Sequence, residues 1–167
     1  MESPFTTTFS RPGHPTADNS NSNRIEIYVM NRTGSYRPLV AAYGGPIWSP
    51  DGRWIAYETS SGRRIDAISP DGKRHRHLLT LDLNSATTNT VVWSPNGAQI
   101  AIGTTIVTLA TGKAHNLPTD GSGDYPGPSW SPDGHWLVYA NTVLQLVRPN
   151  GTGLHTINPC ALTPSTS

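Results

Sequence analysis

Three copies of one five-residue motif constrain this chain more than any other feature: Trp48-Ser49-Pro50-Asp51-Gly52, Trp93-Ser94-Pro95-Asn96-Gly97 and Trp130-Ser131-Pro132-Asp133-Gly134. They are spaced by 45 and 37 residues. A repeat in that range marks stacked supersecondary units, none of which buries its apolar surface alone. Within each copy Pro presets φ for a type I turn, Asp or Asn supplies a short polar group, and Gly suits a closing left-handed residue. The motif is followed by Trp54-Ile55-Ala56-Tyr57, Gln99-Ile100-Ala101-Ile102 or Trp136-Leu137-Val138-Tyr139. Runs that are apolar at consecutive positions point to strands covered on both faces.

A second turn recurs 15 to 20 residues further on, as Ser69-Pro70-Asp71-Gly72, Leu109-Ala110-Thr111-Gly112 and Arg148-Pro149-Asn150-Gly151, with Asn31-Arg32-Thr33-Gly34 as its N-terminal equivalent. The strand-like runs after it end in Leu39, Leu79, Leu117 and Ile157. Each period therefore holds four short strands, in the order inner, second, third, outer, which is the arithmetic of a β-propeller blade.

The stretches Trp48 to Tyr57, Trp93 to Ile102 and Trp130 to Tyr139, with Ile27-Tyr28-Val29-Met30, resemble the TolB-like branch of the WD-repeat superfamily over about residues 24 to 157. The resemblance implies an all-β fold: a partial β-propeller of about three to four four-stranded antiparallel blades. TolB-like propellers generally have more blades than four, so an open arc of a larger propeller is expected ahead of a closed four-blade ring or closure by another chain. The first blade keeps its third and outer strands, lacks the Trp motif, and has Thr7-Thr8-Phe9-Ser10 as a candidate second strand. Residues 1–23 read as a polar N-terminal segment, 24–158 as the repeats, and 159–167 as a tail in which Leu162-Thr163-Pro164-Ser165 is a weak candidate for a closing strand.

Composition narrows the function classes. Sixteen Gly and 15 Pro fit a protein of many turns. The formal charge is +1, with basic and acidic residues dispersed, so no basic footprint argues for nucleic acid; the densest basic stretch, Lys73 to His77, reads as a solvated strand edge. Cys160 stands alone and forms no intramolecular disulfide. The polar start lacks the apolar core of a secretion signal, and no apolar run is long enough to span a membrane. The family resemblance implies a periplasmic or envelope setting, which no signal in this sequence supports, so the compartment stays open.

Catalytic chemistry finds little footing. Ser49, Ser94 and Ser131 occupy repeated turn positions, whereas a nucleophile is normally unique; their hydroxyls suit turn stabilisation. Asp51, Asn96 and Asp133 repeat in the same way and read as turn residues rather than metal ligands or acid–base groups. Asp120-Gly121-Ser122-Gly123-Asp124 carries oxygen groups at alternate positions but departs from a calcium loop where Gly and a bidentate Glu are needed. No metal or cofactor is expected. Alignment on the outer strands places Arg37, His77, His115 and His155 at one equivalent position, read as a polar rim.

The loops entering the inner strands, Tyr43-Gly44-Gly45, Asn84 to Asn89 and Asp120 to Tyr125, form the expected binding surface, since function tends to ride on loops held by rigid sheets. Tyr43, Asn89, Asp124 and Tyr125 are the candidate binding residues. The sequence thus points to a non-catalytic protein-interaction module with a protein or peptide partner, and to self-association through open strand edges. The alternatives are the substrate-gating propeller of a prolyl-oligopeptidase-like hydrolase and a small-ligand or cation-binding propeller.

Overall fold

The computed structural model describes residues 25–59, 64–80, 91–118, 127–140 and 143–157, and the backbone of 5–9. Asn89, Asp124, Tyr125, Cys160, the oxygen-rich segment 120–124 and the candidate closing segment 162–165 lie outside these residues. The described residues contain strands and turns and no helix, hence no helix long and apolar enough to cross a membrane.

The chain divides into two compact units, Met1–Ser85 and Ala86–Ser167. The first holds a three-stranded sheet of β1 (Phe5–Phe9), β2 (Ile25–Met30) and β3 (Tyr36–Ala42), followed by a four-stranded sheet of β4 (Ile47–Trp48), β5 (Ile55–Glu58), β6 (Arg64–Ile68) and β7 (His75–Thr80). The second holds β8 (Val91–Trp93), β9 (Gln99–Ile102), β10 (Thr105–Thr108) and β11 (Lys113–Asn116), then β12 (Ser129–Trp130), β13 (Leu137–Ala140), β14 (Leu144–Val147) and β15 (His155–Ile157). Within each sheet every strand pairs antiparallel with its neighbour in sequence.

These are the four-stranded meanders that the repeats imply, with Trp48, Trp93 and Trp130 each ending an inner strand. The first sheet departs from the pattern. Thr7 to Phe9 fall in β1, next to β2, so the sheet begins at the second strand and has no inner strand among the described residues.

Burial explains the consecutive apolar runs. Ile55, Ala56 and Tyr57 are all buried, as are Ile100, Ala101 and Ile102, so both faces of each second strand are covered. In the first unit Ile27, Val29 and Ala42 of the three-stranded sheet cluster with Ile55, Tyr57 and Ile68 of the next. In the second, Ala101, Ile106 and Leu117 cluster with Leu137, Tyr139 and Val147. Each fully buried Ile or Leu contributes about 1.5–3 kcal/mol relative to exposure, so in each unit these clusters stabilise the contact between its two sheets.

Candidate binding surface

The repeated Ser residues are consumed by the turns. In the first motif Ser49 Oγ donates to Asp51 Oδ1 at 2.6 Å and accepts from the Trp54 N–H at 2.9 Å, while Asp51 Oδ1 also accepts from the Arg53 N–H at 3.0 Å. The same three contacts recur at Ser69, Asp71, Lys73 and Arg74, at Ser94, Asn96, Ala98 and Gln99, and at Ser131, Asp133, His135 and Trp136. The second turn of one sheet thus uses the chemistry of the first turns. Each turn closes with glycine at positive φ, +68° at Gly52 and +72° at Gly134, a region that costs a residue with Cβ but not glycine.

Hydrogen bonding to the charged form lowers a carboxyl pKa. The Ser49 hydroxyl, helped by the Arg53 N–H and charge, holds Asp51 below its usual range. The Ser69 hydroxyl does the same for Asp71. Asp133 falls to about 2, chiefly through Ser131 and then the His135 N–H. These carboxylates are anions fixed in turns, unsuited to proton transfer near neutrality.

The outer strands reveal a repeated stitch between sheets. Arg37 Nη2 donates to the carbonyl of Pro70 on the next sheet of its unit, and His115 Nε2 lies 2.8 Å from the carbonyl of Pro149. Both residues end a cross-strand ladder, Val29 to Arg37 in one case and Val92, Ala101, Ile106 to His115 in the other. The fourth sheet repeats it as Ser129, Val138, Leu146 to His155. In the second sheet the register pairs Ala67 with Arg76 and Asp66 with His77, after an irregularity between Ile65 and Asp66. Arg76 therefore takes the place that sequence spacing assigns to His77: the first sheet has the same irregularity, between Ile27 and Tyr28, and the residue left out of the register is Leu39 there and Leu78 here, so Leu39 corresponds to Leu78 and not to Leu79.

His77 instead joins a network on its own sheet. Its Nδ1 is 2.9 Å from Asp66 Oδ1 and its Nε2 3.1 Å from Thr80 Oγ1, while Arg64 Nε donates to the same Asp66 oxygen at 2.7 Å. Hydroxyl, imidazole and carboxylate stand in the order of a proton relay. Thr80 and His77 are exposed on an outer strand, and Asp66 is shared with a guanidinium. Burial, then the charge of Asp66, raises the Tyr57 pKa beside it. Nothing in the sequence pointed to this network, because Asp66, His77 and Thr80 meet only through the bulged register.

Tyr43 is the one candidate binding residue among the described residues. It is half-buried directly after β3, and its N–H donates to the Glu58 carbonyl at 3.0 Å. A side chain at Gly44 would stand 2.8 Å from Glu58 Oε2 and 3.1 Å from its Cβ. The loop is thus held closely against the end of β5, a rigid mount for the aromatic ring.

On the fourth sheet a shallow depression of about 520 Å³ is lined by Gly134, His135, Trp136, Arg148, Pro149 and Asn150. The Arg148 guanidinium lies 5.1 Å over the Trp136 ring, a cation–π contact repeated by Arg74 over Trp54 at 5.0 Å. No group of three or more His, Cys, Asp or Glu able to hold a metal occurs among the described residues.

No protein-family model matches the chain. Solved structures do. A protein assigned as TolB from Agrobacterium tumefaciens matches with TM-score 0.61 and 18% identity over 92% of this chain and 60% of its own. Oligogalacturonate lyase from Vibrio parahaemolyticus matches with TM-score 0.67 and 12% identity over 93% and 60%. Porphyromonas gingivalis dipeptidyl peptidase 4 matches with TM-score 0.59 and 15% identity over 91% of this chain and 30% of the enzyme. The chain thus spans less than two thirds of each protein, and the likeness is one of fold across proteins of different activity. With three blade-type meanders and their turn motif in place, the chain has the fold of a partial, TolB-like β-propeller.

Proposed function

We propose that this chain is a non-catalytic protein-interaction module, part of a TolB-like β-propeller that receives a protein or peptide on the loops entering its inner strands. The observation that carries this reading is the fourfold commitment of Ser hydroxyls and Asx side chains to the turns, which leaves the loops as the chemically unassigned part of the repeat. The Tyr43 loop, braced on Glu58, offers an aromatic contact on a rigid mount. Asn89, Asp124 and Tyr125 join the reading by their place in the sequence repeat alone.

The hydrolytic alternative draws on the Thr80, His77 and Asp66 order. Against it stand the exposed setting of the hydroxyl and the diversion of Asp66 to Arg64. Selection from a displayed random-peptide library tests the reading. Peptides should bind without cleavage, Tyr43→Ala should weaken them about tenfold, consistent with an aromatic anchor, and a fluorophosphonate probe should leave Thr80 unlabelled. Cleavage of the bound peptides, or labelling of Thr80, would contradict it.

A further inference from the structure

At one end of the fourth sheet the β12–β13 and β14–β15 turns stand side by side, opposite the start of β12, and the depression of about 520 Å³ lies on them. Its size falls within the range of small-molecule sites. Trp136 and Pro149, both half-buried, form its apolar wall. The Arg148 guanidinium lies 5.1 Å over the indole, and the His155 ring stands 5.9 Å from the indole at an angle of 51°. Trp136 and Arg148 meet because the register brings them opposite each other, one place beyond the pairing of Leu137 with Val147.

Two observations separate this place from ordinary turn structure. The second sheet repeats the stack with Arg74 over Trp54, but its turn carries Asp71, a carboxylate that feels the charges of Lys73 and Arg74. The fourth sheet has the neutral Asn150 there, and Arg148 forms no ion pair among the described residues. Asp133 of the neighbouring turn is already engaged by the Ser131 hydroxyl and the His135 N–H, with His135 Nδ1 at 3.3 Å. Asn150 commits its Oδ1 to the N–H and hydroxyl of Thr152 at 3.0 and 2.8 Å, so the Nδ2 donors remain for a ligand. Nor is the place open merely because no sheet follows. In the third sheet the corresponding pair is Gln99 and Thr108, on the face that packs against the fourth sheet, and both are still half-exposed. The place belongs to the rim of a sheet and stays accessible beside a packed neighbour.

We infer that this depression binds a small organic carboxylate with an aromatic body. A guanidinium offers parallel N–H donors that match a carboxylate. With one face on the indole its orientation is set before a ligand arrives, which lowers the ordering cost of binding. One cation without a companion suits one negative charge. Of the two imidazoles nearby, His135 faces Asp133 and His155 lies against the indole, so a doubly charged phosphate meets no second fixed cation. Trp136 and Pro149 take the aromatic ring. The site shares no residue with the loop surface proposed above, and its failure would leave the peptide selection unaffected.

The test titrates the full chain with phenylacetate and follows the indole N–H and arginine Nε–H resonances. The Trp136 and Arg148 signals should move to saturation with a low-millimolar dissociation constant, as an acid of about ten heavy atoms gives at ordinary ligand efficiency. The Trp54 and Arg74 signals should stay in place. Phenylacetamide, which has the ring without the charge, should bind about tenfold more weakly, and Arg148→Ala should weaken phenylacetate by about the same factor. Arg148→Lys should not restore binding, because the ammonium lacks the planar fork, and Arg74→Ala should bind as the parent does. Should the Arg148 variants not fold, the comparison of acid with amide on the parent protein decides. Shifts that never saturate, equal binding of the amide, or undiminished binding by Arg148→Ala overturn the inference. Equal movement of the Trp54 signals overturns it by making the stack a general anion contact. Tighter binding of inorganic phosphate, or of a short peptide ending in phenylalanine, overturns the assignment of the ligand.

Discussion

At the scale of single residues the chain is a study in one turn used four times. The Ser hydroxyl both donates to the Asx side chain and accepts from a backbone N–H five residues on, so its removal strands a half-buried donor. Ser94 is buried, and Ser94→Ala should therefore cost about 1–3 kcal/mol in denaturant unfolding, more than the loss of an exposed hydroxyl. The carboxylate versions add pH dependence. Asp133 has a folded pKa of about 2 against an ordinary 3.8. A depressed carboxyl pKa contributes stability present above the ordinary value and lost as pH falls through the folded one. Asp133→Asn should leave the unfolding midpoint near neutrality little changed, since Asn96 performs the same role in its own copy, and should flatten the midpoint's fall between about pH 4 and pH 2. A variant that fell as steeply as the parent would place the acid sensitivity elsewhere.

At the scale of elements, two equivalent tryptophans differ in a telling way. Trp130 Nε1 donates to the Val92 carbonyl on the inner strand of the preceding sheet, whereas Trp48 Nε1 is buried with no hydrogen-bond partner among the described residues. The first sheet has no inner strand among the described residues, and the acceptor that β8 gives Trp130 has no counterpart there. Trp130→Phe should then cost about 1 kcal/mol beyond the change in packing, the net worth of an ordinary hydrogen bond. Trp48→Phe should lack that penalty, because the ring remains apolar and an unsatisfied donor is removed. Equal losses in thermal unfolding would refute the distinction. Trp93, 7% exposed, should cost roughly 3–5 kcal/mol as Trp93→Ala, as buried large-to-small changes do. The strands and turns themselves were legible in sequence because proline, glycine and Asx sit where the turn geometry needs them. The place of Arg76 was not, because a bulge leaves no mark in the spacing of apolar residues; Asp66, His77 and Thr80 meet for the same hidden reason.

At the scale of the molecule, the repeat period showed blade-type sheets and a fold shared with proteins of unlike activity, but it was silent on function. Turn residues announce themselves by recurring, while a binding loop is defined by what fails to recur. Tyr43 illustrates the limit: its sequence context showed an aromatic beside two glycines, and only the structure shows the backbone braced on Glu58. The central claim is that each of these cross-strand ladders ends in a cation or imidazole, which in the first and third sheets meets the next sheet of its own unit. Nuclear Overhauser mapping of backbone contacts tests it most directly. The account predicts continuous cross-strand contacts along Val92, Ala101, Ile106 and His115, along Ser129, Val138, Leu146 and His155, and from Ala67 to Arg76. Contacts from Ala67 to His77 in place of Arg76, or helical contacts through Leu137 to Tyr139, would contradict it.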